Sequence, residues 1–332
     1  MKNNIITGLT MGEPSSISGE ITLKVWKNYR KRISPFIYFG DKEHLEKVNK
    51  RLKNNVPIKL INNLDESFKI FQNFLPVYNI KLKENVVLGK PSLKNAVSVM
   101  DSIDLVIKLA IKKKLSNIVT NPIEKSIIKK KIGKFTGHTE YISNFLSISK
   151  SVMFLTSPKI SVVPLTQHIG LKEAIKEITK KRIIWTTKIT DKYLKKYFLI
   201  KKPKIAITGL NPHAGEKGDF GSEENKIIKP AIKKLKSAGI NVKGPFPADT
   251  IFNKKLFDVV ICMYHDQATI PIKTLDYENG VNVTLGLPII RTSPDHGTAL
   301  DIAGKNIASE KSLYSSILKA QEISLRKRNW IR

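Results

Sequence analysis

Cysteine is nearly absent from this chain of 332 residues, since the only one is Cys262. An intrachain disulfide is therefore excluded, and we expect a buried structural thiol because Cys262 lies in an apolar run. That run, residues 256–264, is far shorter than the roughly 20 residues that span a bilayer. The first residues also lack the apolar region of a secretory signal. These absences predict a soluble, cytoplasmic protein with no membrane anchor.

Arginine is scarce as well, because only 8 of the 58 basic residues are Arg and 50 are Lys. A net charge of +30 attracts polyanions, but recognition of bases and phosphates in nucleic acids is typically dominated by arginine. We attribute the scattered lysines to compositional bias at permissive surface positions and expect no specific nucleic-acid partner. A non-catalytic, basic nucleic-acid-binding protein is the alternative from another functional class.

The dinucleotide fingerprint G-x-G-x-x-G is also missing, since Gly8, Gly12 and Gly19 have the wrong spacing. If the protein binds NAD, it must do so with another geometry.

Short apolar runs alternate with longer amphipathic segments, which is typical of βα units around a mainly parallel sheet. The length of 332 residues and the hydrophobic content of 41% suffice for two packed domains or for one large domain with a cleft. One long helix is predicted over 171–197, divided near residues 190–191. Strands are predicted at 5–9, 36–39, 117–120, 160–165, 204–208, 259–263 and 280–284.

Three of the six histidines stand just beyond predicted strands: His168, His213 and His265. The carboxyl ends of parallel strands meet at one edge of a sheet, where ligands bind. Three imidazoles that meet there would hold a divalent metal and leave a position open for substrate. The residues alone are equally compatible with ordinary loop histidines.

Two further segments have the character of binding loops. Residues 136–140 open a predicted helix, 141–146, where free amides favour an anion, although a simple helix cap explains them as well. Residues 295–305 are rich in small and turn-forming types, which lets a backbone approach a cofactor closely.

Nine segments are similar, in the same order, to motifs of the 4-hydroxythreonine-4-phosphate dehydrogenase family. They are 10–14, 119–125, 137–140, 209–216, 244–250, 263–267, 282–288, 291–293 and 295–299. The last also resembles the cofactor loop of isocitrate and isopropylmalate dehydrogenases, which bind NAD without the Rossmann fingerprint.

The resemblance implies an α/β protein of two α/β/α domains with a cleft between them. Residues 1–125 plus 275–332 would form the domain with the cofactor loop, and 126–274 the domain with the metal histidines. The implied reaction is NAD- or NADP-dependent oxidation of 4-phosphooxy-L-threonine. The product, 2-amino-3-oxo-4-phosphooxybutanoate, would lose carbon dioxide to give 3-amino-2-oxopropyl phosphate in pyridoxine 5'-phosphate (vitamin B6) biosynthesis.

The resemblance also implies site residues. One divalent ion (Zn, Mg, Co or Mn) would be bound by His168, His213 and His265. The implied substrate contacts are His138, Thr139, Lys273, Asn282 and Arg291, with His138 and Lys273 as candidates for catalytic proton transfer. The implied cofactor contacts are Asp295, His296, Gly297 and Thr298. A homodimer is expected, with a histidine from the partner subunit completing each site.

Some positions depart from the family pattern. Ser16 and Ser18 replace glycines of D-P-x-G-I-G-P-E, and Asn121 and Glu124 replace Ala and Asn. Serine tolerates positive φ poorly, so we expect either ordinary dihedrals or strain of about 1 kcal/mol or more. The closest rival function is a sister dehydrogenase that acts on a phosphorylated sugar acid such as threonate or erythronate 4-phosphate.

Overall fold

The computed structural model describes residues 5–253 and 256–330, with side chains through residue 327. These residues form two compact units. Unit 1 comprises the described residues of Met1–Ser151 and Leu287–Arg332, and unit 2 those of Val152–Gly286. Both units mix strands and helices, which confirms the α/β prediction. Within the described chain, no helix is both long enough and apolar enough to cross a membrane.

Unit 1 is built on a parallel sheet with the strand order β3-β4-β2-β1-β5-β12. Its strands are β1 (Thr7–Thr10), β2 (Phe36–Gly40), β3 (Ile58–Leu60), β4 (Leu75–Asn79), β5 (Asn117–Val119) and β12 (Arg291–Pro294). Its helices are α1 (Ser18–Tyr29), α2 (Lys42–Arg51), α3 (Glu66–Ile70), α4 (Asn95–Ile111), α5 (Lys125–Ile132), α6 (His138–Phe145) and α11 (Lys311–Trp330).

Helix α4 shows how sequence spacing builds the core of unit 1. Val99, Ile103, Val106 and Ile107 recur every three or four residues and are all buried. This spacing places them on one face of the helix, where they join the core together with Ile118 of β5.

Unit 2 has the strand order β11-β6-β7-β10-β8-β9. Strands β7, β10, β8 and β9 are parallel, whereas β6 is antiparallel to β7 and β11. The strands are β6 (Val152–Thr156), β7 (Ser161–Pro164), β8 (Ile205–Thr208), β9 (Val242–Phe246), β10 (Val259–Cys262) and β11 (Val281–Leu285). The helices are α7 (Leu171–Glu177), α8 (Lys180–Phe198), α9 (Lys229–Ser237) and α10 (His265–Asp276). Cys262 is fully buried, as expected.

The unit boundaries differ from the predicted 1–125 plus 275–332 and 126–274. Helices α5 and α6 belong to unit 1, because Ile128 and Ile142 pack in its core. Strand β11 belongs to unit 2, where it pairs along its length with β6. The chain therefore passes from unit 1 to unit 2 after Ser151 and returns at Leu287.

The predicted helix 171–197 is broken, but earlier than predicted. Thr179 accepts a hydrogen bond from the Arg182 amide at 3.2 Å and caps the start of α8. Thr190 lies inside α8, where its hydroxyl donates to the Thr186 carbonyl at 2.8 Å. A threonine that bonds back to the preceding turn is compatible with a helix interior, so 190–191 causes no break.

Candidate active site

Three adjacent parallel strands of unit 2 end beside the predicted metal histidines. The neighbours are β7, β10 and β8, and His168, His265 and His213 follow them in that order. The loops that carry the histidines therefore leave the same edge of the sheet, as the sequence predicts.

His168 and His265 lie close together at this edge. Their ring centroids are 5.8 Å apart, and Asp266 Oδ1 lies 2.7 Å from Nδ1 of His265. A carboxylate on Nδ1 favours the tautomer that leaves the Nε2 lone pair for a metal. His168 has a left-handed backbone with φ of 50°, which is uncommon for a residue other than glycine and is concentrated at functional sites.

His213 lies in an unusual turn, Pro212–Gly218, in which five successive residues from His213 onward have φ between 35° and 82°. Its ring packs against Phe220, with centroids 6.0 Å apart. No three His, Cys, Asp or Glu side chains of the described chain are close enough together to hold a metal ion. Imidazole nitrogens are suitable ligands for a divalent ion. The structure brings His168 and His265 together, but it does not bring His213 together with them.

Glu224 anchors the loop that carries His213. Its buried carboxylate accepts hydrogen bonds from the amides of Leu210 at 2.8 Å and Asn211 at 2.9 Å. Burial raises the pKa of this carboxyl, but the hydrogen bonds from Asn211 and Leu210 outweigh it and leave the pKa below its ordinary value. A Cβ on Gly215 would lie 2.5 Å from Oε2 of Glu224, so the loop closes over the carboxylate only with glycine there.

Gln267 connects this loop to the start of α10. Its Oε1 accepts from the Met263 amide and the Thr208 hydroxyl, both at 2.7 Å, and its Nε2 donates to the Gly209 carbonyl at 2.9 Å. One buried amide thus ties the end of β8 to the turn that presents His265.

In unit 1, Arg291 lies at the start of β12 and is 3% exposed. Its Nε and Nη2 donate to the Thr120 hydroxyl at 3.2 and 2.7 Å, and Nη1 donates to the Thr139 hydroxyl at 3.5 Å. Burial lowers the pKa of Arg291 to about 10, and the negative charge of Glu140 opposes this effect. The guanidinium therefore stays protonated at neutral pH, and it lies beside two predicted substrate residues, His138 and Thr139.

His138 is the first residue of α6. Its pKa lies well below the ordinary value because of burial, reinforced by the positive charges of Arg291 and Lys125. Its Nε2 is shielded from solvent and has no hydrogen-bond partner among the described residues. Buried polar atoms are normally paired, so this neutral imidazole is suited to bind a ligand.

The other predicted substrate contacts, Lys273 and Asn282, lie in unit 2. Asn282, on β11, has a buried Oδ1 for which the described part of the chain supplies no partner. Lys273 is an exposed residue in the last turn of α10.

The predicted cofactor residues, 295–298, directly follow β12 and are braced by two neighbouring loops. The Ile17 amide donates to the Thr298 carbonyl at 3.3 Å, and the Thr298 hydroxyl donates to Glu124 at 3.5 Å. These loops follow β1 and β5; β5 lies between β1 and β12 and pairs with both. The loop predicted to meet the cofactor thus lies at the carboxyl edge of the unit 1 sheet, beside the loops that follow β1 and β5.

A sequence model of one family, described as pyridoxal phosphate biosynthetic protein PdxA, matches residues 31–320. The chain belongs to the PdxA family. A relative named 4-hydroxythreonine-4-phosphate dehydrogenase, from Zymomonas mobilis, is 40% identical over 94% of this chain and 93% of its own length. A crystal structure with the same name, from Klebsiella pneumoniae, has a TM-score of 0.86 and 30% identity over 97% of this chain and 100% of that one.

A terephthalate 1,2-cis-dihydrodiol dehydrogenase from Burkholderia xenovorans shares the fold of this PdxA chain at a TM-score of 0.64. The two are 22% identical over 96% of this chain and 98% of that one.

The departures from the PdxA pattern form a local polar cluster. Neither Ser16 nor Ser18 has a positive φ, so the strain considered from the sequence does not arise. Their hydroxyls are 2.8 Å apart, and Ser16 also donates to the Glu13 carbonyl at 2.6 Å. Asn121 donates to the Thr10 carbonyl at 3.0 Å.

Four residues beside the candidate side chains were not predicted: Thr120 and Lys125 in unit 1, and Glu224 and Gln267 in unit 2. Thr120, Lys125 and Gln267 lie inside segments that resemble family motifs and that begin at the end of a predicted strand. This position is the sequence signal that could have identified them. Glu224 lies in no such segment. Its role depends on contacts with a loop that lies thirteen or more residues earlier in the chain.

Proposed function

We propose that this PdxA chain catalyses the NAD- or NADP-dependent, metal-dependent oxidation of 4-phosphooxy-L-threonine. The product, 2-amino-3-oxo-4-phosphooxybutanoate, then loses carbon dioxide to give 3-amino-2-oxopropyl phosphate. The main support is the near full-length match to relatives that carry the corresponding name. The grouping of His138, Thr139 and Arg291 adds to it, because it offers cationic and hydrogen-bonding groups to an anionic substrate.

The chain's own residues have distinct tasks in this proposal. Arg291 and Thr139 orient an anionic group of the substrate, and Asn282 offers a free amide oxygen to a donor such as the substrate ammonium. The hydroxyl proton passes to His138 or Lys273. His138 is neutral at neutral pH, and its buried Nε2, which has no hydrogen-bond partner among the described residues, is available to accept such a proton.

We place the divalent ion on His168, His213 and His265, where it would act as a Lewis acid on the substrate hydroxyl and later the ketone. Asp295, His296, Gly297 and Thr298 would bind the nicotinamide cofactor, which would accept the hydride. A homodimer is part of the proposal, with a histidine of the partner subunit completing each site. The cytoplasmic location stays a prediction from the sequence.

The test is NADH or NADPH formation with 4-phosphooxy-L-threonine after chelation and after addition of Zn, Co, Mn or Mg. We expect turnover to need an ion and His213→Ala to lose both metal and activity. Unchanged metal content and rate in His213→Ala would refute the metal site. A higher kcat/KM with threonate or erythronate 4-phosphate would assign the chain to the sister activity. No reduced cofactor with any of these substrates would overturn the enzymatic proposal.

A further inference from the structure

Among the many lysines of this chain, Lys125 is distinguished by its position at the start of a helix. It is the first residue of α5, directly after the capping residue Glu124. The Glu124 carboxylate accepts from the Ser126 amide at 3.3 Å and the Ser126 hydroxyl at 2.7 Å. The Glu124 carboxylate, the nearest to Lys125 in sequence, is therefore already hydrogen-bonded. No carboxylate of the described residues forms an ion pair with Lys125.

The ammonium of Lys125 lies against the segment that leads into α6. A Cβ built on Gly137 would lie 3.6 Å from Cε and 3.7 Å from Nζ of Lys125. The same point lies 3.1 Å from Oε2 of Glu140, which is a buried oxygen with no hydrogen-bond partner within the described chain. Glycine at 137 therefore leaves the space between the ammonium and the first turn of α6 open.

The charges around this space are unbalanced. Lys125 and Arg291 both lie close enough to His138 to disfavour its protonation, and Glu140 is the carboxylate that acts on Arg291. With His138 neutral, two cations face one anion. A phosphate monoester, which is close to a dianion at neutral pH, would offset this excess better than a single carboxylate.

We propose that Lys125 is a further substrate-binding residue, which with Arg291 and Thr139 forms a subsite for the phosphate group of the substrate. The proposal rests on the proposed function for the identity of the substrate, but a phosphate subsite is measurable without turnover. Lys125 supplies a mobile point charge, whereas Arg291 is fixed by its hydrogen bonds to Thr120.

The test compares Lys125→Met, Lys125→Arg and Lys129→Met at constant ionic strength. Lys129 lies one turn further along α5 and is exposed, so it controls for the loss of one charge from a highly basic protein. Inorganic phosphate is the probe, and its Kd is measured by calorimetric titration. KM and kcat are then measured with 4-phosphooxy-L-threonine.

We expect Lys125→Met to raise the phosphate Kd and the substrate KM about tenfold or more, as for loss of one hydrogen bond to a charged group. Lys125→Arg and Lys129→Met should stay within about twofold of the parent. Equal phosphate affinity of Lys125→Met and Lys129→Met would overturn the subsite. Selective weakening of phosphate binding in an enzyme that does not oxidise 4-phosphooxy-L-threonine would support the subsite while refuting the proposed function.

Discussion

Replacing Gln267 with Leu is expected to lower both the free energy of unfolding and the affinity for a divalent metal. The side chain is 9% exposed and makes hydrogen bonds of 2.7, 2.7 and 2.9 Å. Leucine is of similar size but has neither donor nor acceptor. The Met263 amide and the Gly209 carbonyl would lose their partner, whereas the Thr208 hydroxyl would keep its 3.4 Å contact with the Ile261 carbonyl.

The magnitude follows from these two backbone groups. Each buried group left unsatisfied costs about 1–3 kcal/mol, so the free energy of unfolding should fall by roughly 2–6 kcal/mol. Residues that orient metal ligands typically change metal affinity by about 10–100-fold when mutated. We expect the affinity for zinc or cobalt to fall within that range, because the change releases the end of β8 from the turn that presents His265.

Gln321→Leu is the matched control. Gln321 is 4% exposed, donates to the Thr7 hydroxyl at 3.0 Å and the Ser34 carbonyl at 2.9 Å, and accepts from the Ser34 amide at 2.9 Å. It lies in unit 1, whereas the metal histidines lie in unit 2. Urea unfolding should show similar losses in both variants, and calorimetric titration with zinc or cobalt should show weaker binding only in Gln267→Leu. Equal metal affinities in the two variants would refute the positioning role of Gln267.

Two other predictions concern unit 1. Thr120→Val should raise the KM for the phosphorylated substrate about tenfold, because the Arg291 guanidinium loses the Thr120 hydroxyl that accepts two of its hydrogen bonds, and Thr120→Ser should restore the KM. Equal KM values for the valine and serine variants would contradict this. Lowering the pH below 6.5, the ordinary pKa of histidine, should reduce the free energy of unfolding, because the unfolded chain binds a proton that buried His138 rejects. The slope from one such group is at most about 1.4 kcal/mol per pH unit. Urea unfolding of His138→Gln should show a shallower decline, and an unchanged pH profile would argue against the low pKa.

Seven of the strands could be predicted from sequence because each is a short β-branched or apolar run followed by a turn. The seven predicted strands are present, with ends shifted by at most two residues. The placement of His168, His213 and His265 beyond strand ends follows from the same pattern. Strand β3 was not predicted; it has only three residues, and a strand this short carries little periodic signal.

The fine geometry of the site was not accessible from the sequence. The left-handed turn that begins at His213 contains one glycine among its five positive-φ residues, so local preference does not predict it. The hydrogen bonds of Glu224 and the closure of Gly215 over its carboxylate stabilise the turn. The neutral state of His138 likewise depends on burial and on two cations that come from other elements. These are tertiary effects that override local propensity.

The serine cluster of the first loop has a consequence for how this chain diverged from the glycine pattern of its family. The Ser16 hydroxyl is satisfied by the Glu13 carbonyl and the Ser18 amide, both of which exist whatever side chain stands at position 18. The Ser18 hydroxyl has the Ser16 hydroxyl at 2.8 Å and otherwise only a long 3.4 Å contact with the Pro122 carbonyl. The order of the two replacements therefore matters. Serine at position 16 is tolerated without serine at position 18, whereas serine at position 18 is favoured only when position 16 is already serine.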